Sequence, residues 1–411
     1  MTAMDNIVVV GNGIAGTTAA STLREHGYRG RLTIIGAEKH APYSRPALSK
    51  SALHETGAFG TVVSHLLPAA EHDARVLLGV AATGLDLARR RLALSDGGAC
   101  DFDGLIIASG IRPRKLRPDL HHERTFRNIE DAERLRELLR AQPRVAVIGA
   151  GVLGMELASA CAAAGSSVTV ICRGKPMHAS LGSFLAELIS NAAVRHGVNL
   201  VPSPALDVRD SARERGACEI VLADGSTVTA DLVLTAIGDV PNTEWLASTG
   251  LLTGGELRVD SRGRLAPGVV AAGDVAAIPG RHGHGRVPLW MSAIAQARVA
   301  AQALLFGDAA PPLDHEPYFW TDQFGLALKA CGPLPVMGEP AYMAGKPDAE
   351  PALMRWQDAD GAGTGVSVNY RMPIAKLRAL ARQSPSPAQA PGDMVQAQGS
   401  DCASHPIHYQ G

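Results

Sequence analysis

Two stretches of the chain repeat one order of apolar and polar positions. Residues 7–10, IVVV, are an unbroken apolar run that ends in Gly11, Gly13 and Gly16, followed by helical periodicity over 14–26 and a second run at 32–35. Residues 145–148, VAVI, end in Gly149, Gly151 and Gly154, followed by helical periodicity over 153–164 and a run at 168–172. Short continuous apolar runs predict strands buried on both faces, and strand–helix–strand order predicts parallel sheets. Between and after these units the pattern predicts helices over 65–72, 129–140 and 184–196 and strands over 104–108, 198–201, 232–236, 256–259 and 269–272. Hairpins are expected at Asp96-Gly97 and Asp224-Gly225. An alanine-rich helix opens at Trp290, Met291 and Ser292 and runs to Phe306. From residue 315 aromatics cluster in EPYFWTDQFG and strand-like stretches alternate with Gly and Pro, as in an antiparallel α+β unit closed by a basic helix over 373–382. Residues 384–411 lack periodicity, are rich in Ser, Pro, Ala and Gln, and read as a disordered tail.

The fold class is therefore α/β, with two Rossmann-like dinucleotide-binding domains and a small C-terminal α+β interface domain. The boundaries fall at 1–112, 113–240, 241–314 and 315–383. The chemistry follows from the glycines. In a GxGxxG turn the first permits the tight bend, the second lets backbone approach a pyrophosphate, and the third lets helix pack on strand. The helix then offers its unpaired N–H groups and positive dipole end to the phosphates. Glu38, 22 residues past Gly16, is placed to accept hydrogen bonds from a ribose diol. The second unit has Cys172 and Arg173 where that acid would stand. Arginine pairs with a ribose 2′-phosphate that an acid would repel, which predicts NADPH with NADH left open. Gly238 ends the strand expected beside the nicotinamide, and Asp274, after a full apolar run, is placed to accept from a polyol while opening a helix. In APYSRPALSK, Pro42 and Pro46 predict an extended path with Arg45 and Lys50 pointing inward.

Composition changes the picture only by exclusion. The apolar fraction is 46%, which suits large cores, and the net charge of −1 offers no global field to nucleic acid or membrane. Six cysteines stand at 100, 161, 172, 218, 331 and 402 with no CxxC or CxxxxC pair, so neither a redox dithiol nor a zinc knuckle is suggested. The start has no basic stretch ahead of its apolar run, no run reaches membrane length, and a cytoplasmic protein is expected. His282 and His284, in HGHG, read as an exposed glycine loop, not a metal site.

Taken in order, the first GxGxxG, PYSRPALSK, IIASGIRPR, the second GxGxxG, TAIGDVPNTEWL, VVAAGDVA, a Trp-opened helix and PYFWTDQFG closely resemble the FAD-dependent ferredoxin reductases of bacterial oxygenase systems. These lie within the glutathione-reductase-like flavoproteins, and the resemblance covers residues 5–383. It implies FAD in the first and third segments, a nicotinamide nucleotide in the second, a C-terminal interface domain, and a monomer or weak homodimer. It also implies roles. Gly11, Gly13, Ala15 and Gly16 would cradle the FAD pyrophosphate, with Glu38 on the ribose and Ala82 on the adenine side. Arg45 and Lys50 would face the flavin, Arg127 would reach FAD, Asp274 would bind the ribityl chain, and Trp290 and Trp320 would sit by the isoalloxazine. Gly149, Gly151, Leu153 and Gly154 would take the nicotinamide nucleotide, and Glu156 would pair with Lys50 near the nicotinamide. The implied partner is a 2Fe-2S ferredoxin, docking near Arg298 and the basic C-terminal helix with Lys376, Arg378 and Arg382. Two positions depart from the family: no acid precedes Trp290, and Ala47 stands where many members have Pro. Ala47 matches monodehydroascorbate reductases, which leaves them, rubredoxin reductases and the non-catalytic apoptosis-inducing-factor type as alternatives. Residues 39–50 contain no cysteine, against the dithiol, peroxide-reducing and CoA-disulfide-reducing relatives.

Overall fold

The computed structural model describes residues 4–50, 53, 66–67, 73–117, 123–280, 283–345, 351–357 and 363–383. A six-stranded sheet runs in the order Arg264–Ala266, Val269–Ala271, Gly104–Ile107, Asn6–Val10, Arg31–Gly36, Arg75–Leu78. Its members from 104–107 outward are parallel, with Val10 between Ile35 and Ile107. Strands from both ends of the nucleotide-binding sequence thus share one sheet. The unbroken run at 7–10 has a plain cause. Ile7 and Val9 pack with Leu23, Ala297, Ala300 and Leu304 of two helices, Ile14–Glu25 and Trp290–Phe306, while Val8 and Val10 pack with Leu92 and Leu105 on the opposite face. Alternate side chains leave a strand on opposite sides, so a sheet covered on both faces needs apolar residues at every position.

The second sheet repeats this plan in the order Asn199–Val201, Ser167–Ile171, Arg144–Ile148, Leu232–Thr235, Glu123–Arg124, all parallel. Val145 and Val147 face the helix Val152–Ala163, and Ala146 and Ile148 face a three-stranded antiparallel cover that includes Val208 and Ile220. A two-stranded ribbon, Ile111–Pro113 against Asp239–Pro241, bridges the two sheets. The C-terminal segment forms a five-stranded antiparallel sheet led by Tyr318–Gln323 and Leu326–Cys331, with the helix Ile374–Arg382 set against it through Leu377 and Leu380.

Three expectations change. Pro46 does not extend the chain but sits in the first turn of a short helix, Arg45–Leu48, where its missing N–H costs nothing. Asp274 opens no helix; it lies in a turn between Val269–Ala271 and the strand Ala276–Gly280. Leu66, within the helix expected over 65–72, makes a β-bridge with Tyr43, and most of that stretch lies outside the described residues. The tail from 384 also lies outside them. Among the described residues no helix is long and apolar enough to cross a membrane.

Candidate active site

Both glycine turns open into one cavity of 1490 Å³. They match atom for atom. Gly11 and Gly149 have φ of +122° and +104°, and a Cβ on either would stand 2.0 or 2.3 Å from a carbonyl oxygen, of Ala108 or Ala236. A Cβ on Gly16 or Gly154 would strike the carbonyl oxygen of Gly11 or Gly149 at 1.8 or 2.0 Å. These four glycines are therefore required for packing. Gly13 and Gly151 differ, since a Cβ there meets nothing within 4 Å and would project into open space. Each is the N-cap of its helix without a side-chain cap, so the first helical N–H groups lack the partner a Ser or Asp would give. Asn12 Nδ2 and Thr235 Oγ1, on cavity-lining residues, are buried without a partner. A bare glycine step, uncapped N–H groups and orphaned polar atoms fit an anionic dinucleotide at each turn.

Of the cofactor-binding and catalytic residues expected from the sequence, all but Gly16, Gly149, Gly154 and Arg173 line this cavity. At one end Glu38 accepts from Arg45 and from the Tyr43 hydroxyl, each at 2.5 Å. Burial pushes the Tyr43 hydroxyl well above its ordinary value, opposed by Arg45, whose guanidinium lies 4.9 Å from the ring centroid. Arg45 is thus paired with Glu38 on the wall of the cavity that Lys50 also lines. Farther along, Arg127 meets Asp274 at 3.3 Å. Burial, then the neighbouring Arg45 charge, lowers the Arg127 pKa against the pull of Asp274. Arg286, absent from the sequence reading, bonds Asp239 at 2.5 Å across the two nucleotide-binding units.

The remaining charge pair sits between the turns. Lys50 Nζ lies 2.8 Å from Glu156 Oε1 and 6.0 Å from the centroid of the Trp320 ring. Glu156 is 3% exposed and is also bonded by Ser49 at 2.5 Å and Thr321 at 2.7 Å. A carboxylate this buried is tolerated only when its charge and lone pairs are matched. Ser49, Thr321 and Gln323 were missed from sequence. Strand alternation over 318–323 could have set Thr321 and Gln323 on one face, but nothing local named the face.

Arg173 follows the strand Ser167–Ile171, is exposed, and lies off the cavity wall. Among the described residues no cysteine lines the cavity. Cys161 is fully buried in the second glycine-turn helix, and burial pushes its thiol up to about 12. His284 Nε2 lies 3.1 Å from the Val259 carbonyl, and His282 is outside the described residues. Arg298 and Lys376 are exposed. Arg382, in contrast, is paired with Glu316 at 3.1 Å, and Arg378 is half-buried beside Cys331 and His315, so the C-terminal helix offers fewer open cations than its sequence suggests.

The sequence profile of the pyridine nucleotide-disulphide oxidoreductases matches residues 5–297. The chain belongs to that family. It is an oxidoreductase, with a flavin and a nicotinamide nucleotide as the family's cofactors. It is 33% identical over 335 residues to the ferredoxin–NAD(+) reductase component of the p-cumate 2,3-dioxygenase system of Pseudomonas putida, covering 80% of this chain and 81% of that one. It is 30% identical to the corresponding component of the biphenyl dioxygenase system of Paraburkholderia xenovorans, over 94% of this chain and 96% of that one. Among solved structures, the covalent putidaredoxin reductase–putidaredoxin complex matches with a TM-score of 0.80 and 27% identity, over 92% and 93% of the two chains. The chain is similar to ferredoxin reductases along most of its length, and among the described residues that line its cavity the family's name-giving disulphide has no counterpart.

Proposed function

We propose that this protein is the reductase component of an oxygenase system, taking hydride from NAD(P)H and passing single electrons through FAD to a 2Fe-2S ferredoxin. The observation that carries the reading is the buried Lys50–Glu156 pair, set between two open glycine turns and beside Trp320 in a cavity without cysteine. FAD would be held by Gly11, Gly13, Ala15, Glu38, Ala82, Arg127 and Asp274, and it supplies the conversion of a two-electron donor into one-electron steps. The nicotinamide nucleotide would lie on Gly151, Leu153 and Gly238 of the same cavity. Lys50 holds a fixed positive charge where the two rings would meet, and Glu156 keeps that charge in place. Trp290 and Trp320 line the same cavity, Trp320 beside the Lys50 ammonium, where their rings would flank the flavin. No cysteine among the described lining residues stands to receive electrons, which suits an external acceptor, and under this reading that acceptor takes them singly.

The acceptor separates the alternatives. Under this reading NAD(P)H-driven reduction of a 2Fe-2S ferredoxin exceeds that of rubredoxin and of ascorbyl radical, measured in parallel on the flavin-loaded protein. Preference for ascorbyl radical or rubredoxin would move the chain to those types. A redox-sensing role has one observation in its favour: 30% identity over 347 residues to human apoptosis-inducing factor 3, of which this chain spans 55%. Slow nucleotide oxidation with no ferredoxin reduction would select it.

For the nucleotide we favour NADPH. The turn after Ser167–Ile171 carries Arg173, and Cys172 beside it is buried against the Gly174 carbonyl at 2.8 Å. The relatives named for NAD(+) make NADH the competing donor. The ratio of kcat/KM for NADPH over NADH, compared between the native protein and Arg173→Ala, decides between them.

A further inference from the structure

Glu156 draws its donors from two distant segments, Ser49 and Lys50 on one side and Thr321 on the other. Thr321 is itself fully buried and receives the amide of Gln323 at 3.0 Å. A hydroxyl has one proton, so with Gln323 donating to it that proton is committed to Glu156. Reversing the Gln323 amide would leave two acceptors competing for it; as placed, the amide donates to Thr321 while its own Oε1 is buried without a partner.

The strand is pinned in this register. Its turn is Phe324-Gly325, with φ of +51° and +74°, the two-residue loop that suits a tight hairpin. Phenylalanine is strained there, and the strain is offset by what surrounds it. Phe324 is 4% exposed, packs 5.8 Å from the His196 ring, and donates its N–H to Ser159 Oγ at 2.7 Å. Ser159 lies three residues beyond Glu156, so one face of the second glycine-turn helix clasps the strand at two points. Trp320, the neighbour of Thr321, emerges on the opposite strand face.

We infer that Thr321, oriented by Gln323, is a positioning residue for hydride transfer: it fixes Glu156, and through Glu156 the Lys50 ammonium. The C-terminal sheet then serves the nicotinamide reaction as well as any docking. This rests on the reading of Lys50–Glu156 given above. Thr321→Val keeps the shape and removes the donor. With FAD content unchanged by absorbance, hydride transfer in single-turnover mixing slows about tenfold, the weight of one hydrogen bond to a charged group. The Kd for the oxidised nucleotide, read from flavin difference spectra, stays put, and Thr321→Ser restores the rate. In a Lys50→Met background, adding Thr321→Val costs less than about twofold, because the residue acts through Lys50. An unchanged rate in Thr321→Val overturns the inference while leaving the pair's role intact, and so does an equal loss in both backgrounds. If Lys50→Met alone leaves the rate unchanged, the reading of the pair fails and the inference falls with it. Should Thr321→Val not fold, Gln323→Leu carries the same cycle, since it frees the Thr321 proton from its commitment. Additive losses there overturn the inference equally.

Discussion

The two glycine turns are the same object used twice, and they diverge one strand later. At Gly11–Gly16 and Gly149–Gly154 the same carbonyl oxygens press against the same missing side chains. After the second strand of the first unit stands Glu38, inside the cavity and held by Arg45 and Tyr43. After the second strand of the other stands Arg173, exposed and off the cavity wall. The helices diverge too. The second carries Glu156, paired with a lysine that belongs to the first unit. The shared part is the packing of turn, strand and helix around four glycines. Under the proposed function the differences would sit where the ligands differ, at the ribose and at the reactive ring.

The largest effects should come from giving the open glycines a side chain. Gly13→Val and Gly151→Val place a Cβ that meets nothing within 4 Å, on extended backbone that valine readily adopts. Gly13→Val should yield folded, flavin-free protein, read as a normal thermal unfolding transition with no absorbance near 450 nm. Gly151→Val should keep its flavin and raise the KM for nucleotide at least about tenfold, since it blocks close approach to the pyrophosphate. Loss of flavin in both, or in neither, would break the assignment of one turn to each cofactor. Gly16→Val, whose Cβ would stand 1.8 Å from the Gly11 oxygen, should fail to fold.

Next in size is the pair that joins the units. Lys50→Met should retain FAD and slow flavin reduction by NAD(P)H roughly a hundredfold, the loss expected when a largely buried, fixed charge is removed from beside the reacting groups. Glu156→Gln should slow it less, because Lys50 survives but loses its counter-charge. Rapid-mixing absorbance measures both. If Lys50→Met instead released FAD at an unchanged rate of reduction, the pair would belong to the flavin site alone.

These sizes follow what could be read before the fold was known. The sheets, both glycine turns and the Trp-opened helix were legible because each is a local regularity: unbroken apolar runs, fixed glycine spacing, helical period. Residues that face one another across the cavity were less so. Lys50 and Glu156 came together only through resemblance, being 106 positions apart. Thr321 lies 165 positions from Glu156, and the Arg286–Asp239 contact spans 47. Such contacts are fixed by how sheets stack, and no local pattern encodes that. Pro46 was misread for a related reason. Proline suits an extended segment and the first helical turn alike, and only the burial of Leu48 selects the helix.

A smaller effect tests the ribose end of the second unit. If Arg173 reads a 2′-phosphate, Arg173→Ala should lower kcat/KM for NADPH about tenfold and leave NADH within about twofold, one exposed charge-assisted contact being lost. Arg173→Glu should carry the second unit toward the first by installing an acid, favouring NADH further. Equal use of NADPH by native protein and Arg173→Ala would mean that the divergence after the two strands has no bearing on nucleotide choice.

The smallest expected effect is none, and it bears on the family's name-giving disulphide. The second unit holds Cys161 and Cys172, both raised by burial, whereas the first has no cysteine near its turn. The thiolate is the reactive form, and a raised pKa keeps the thiol protonated as pH rises. Cys161, pushed up to about 12, should therefore resist a thiol-reactive chromophore throughout pH 7–10 in the native flavoprotein and react only on unfolding. Cys172, beside the Gly174 carbonyl, should react slowly and later in the pH range than a free cysteine. Because no cysteine among the described residues lines the cavity, nucleotide-reduced protein treated with an alkylating agent should keep its full rate of electron transfer. A dithiol enzyme so treated is reduced, trapped and inactive. Inactivation here, faster with nucleotide than without, would place a cysteine in the electron path and make the two units more alike than their geometry indicates.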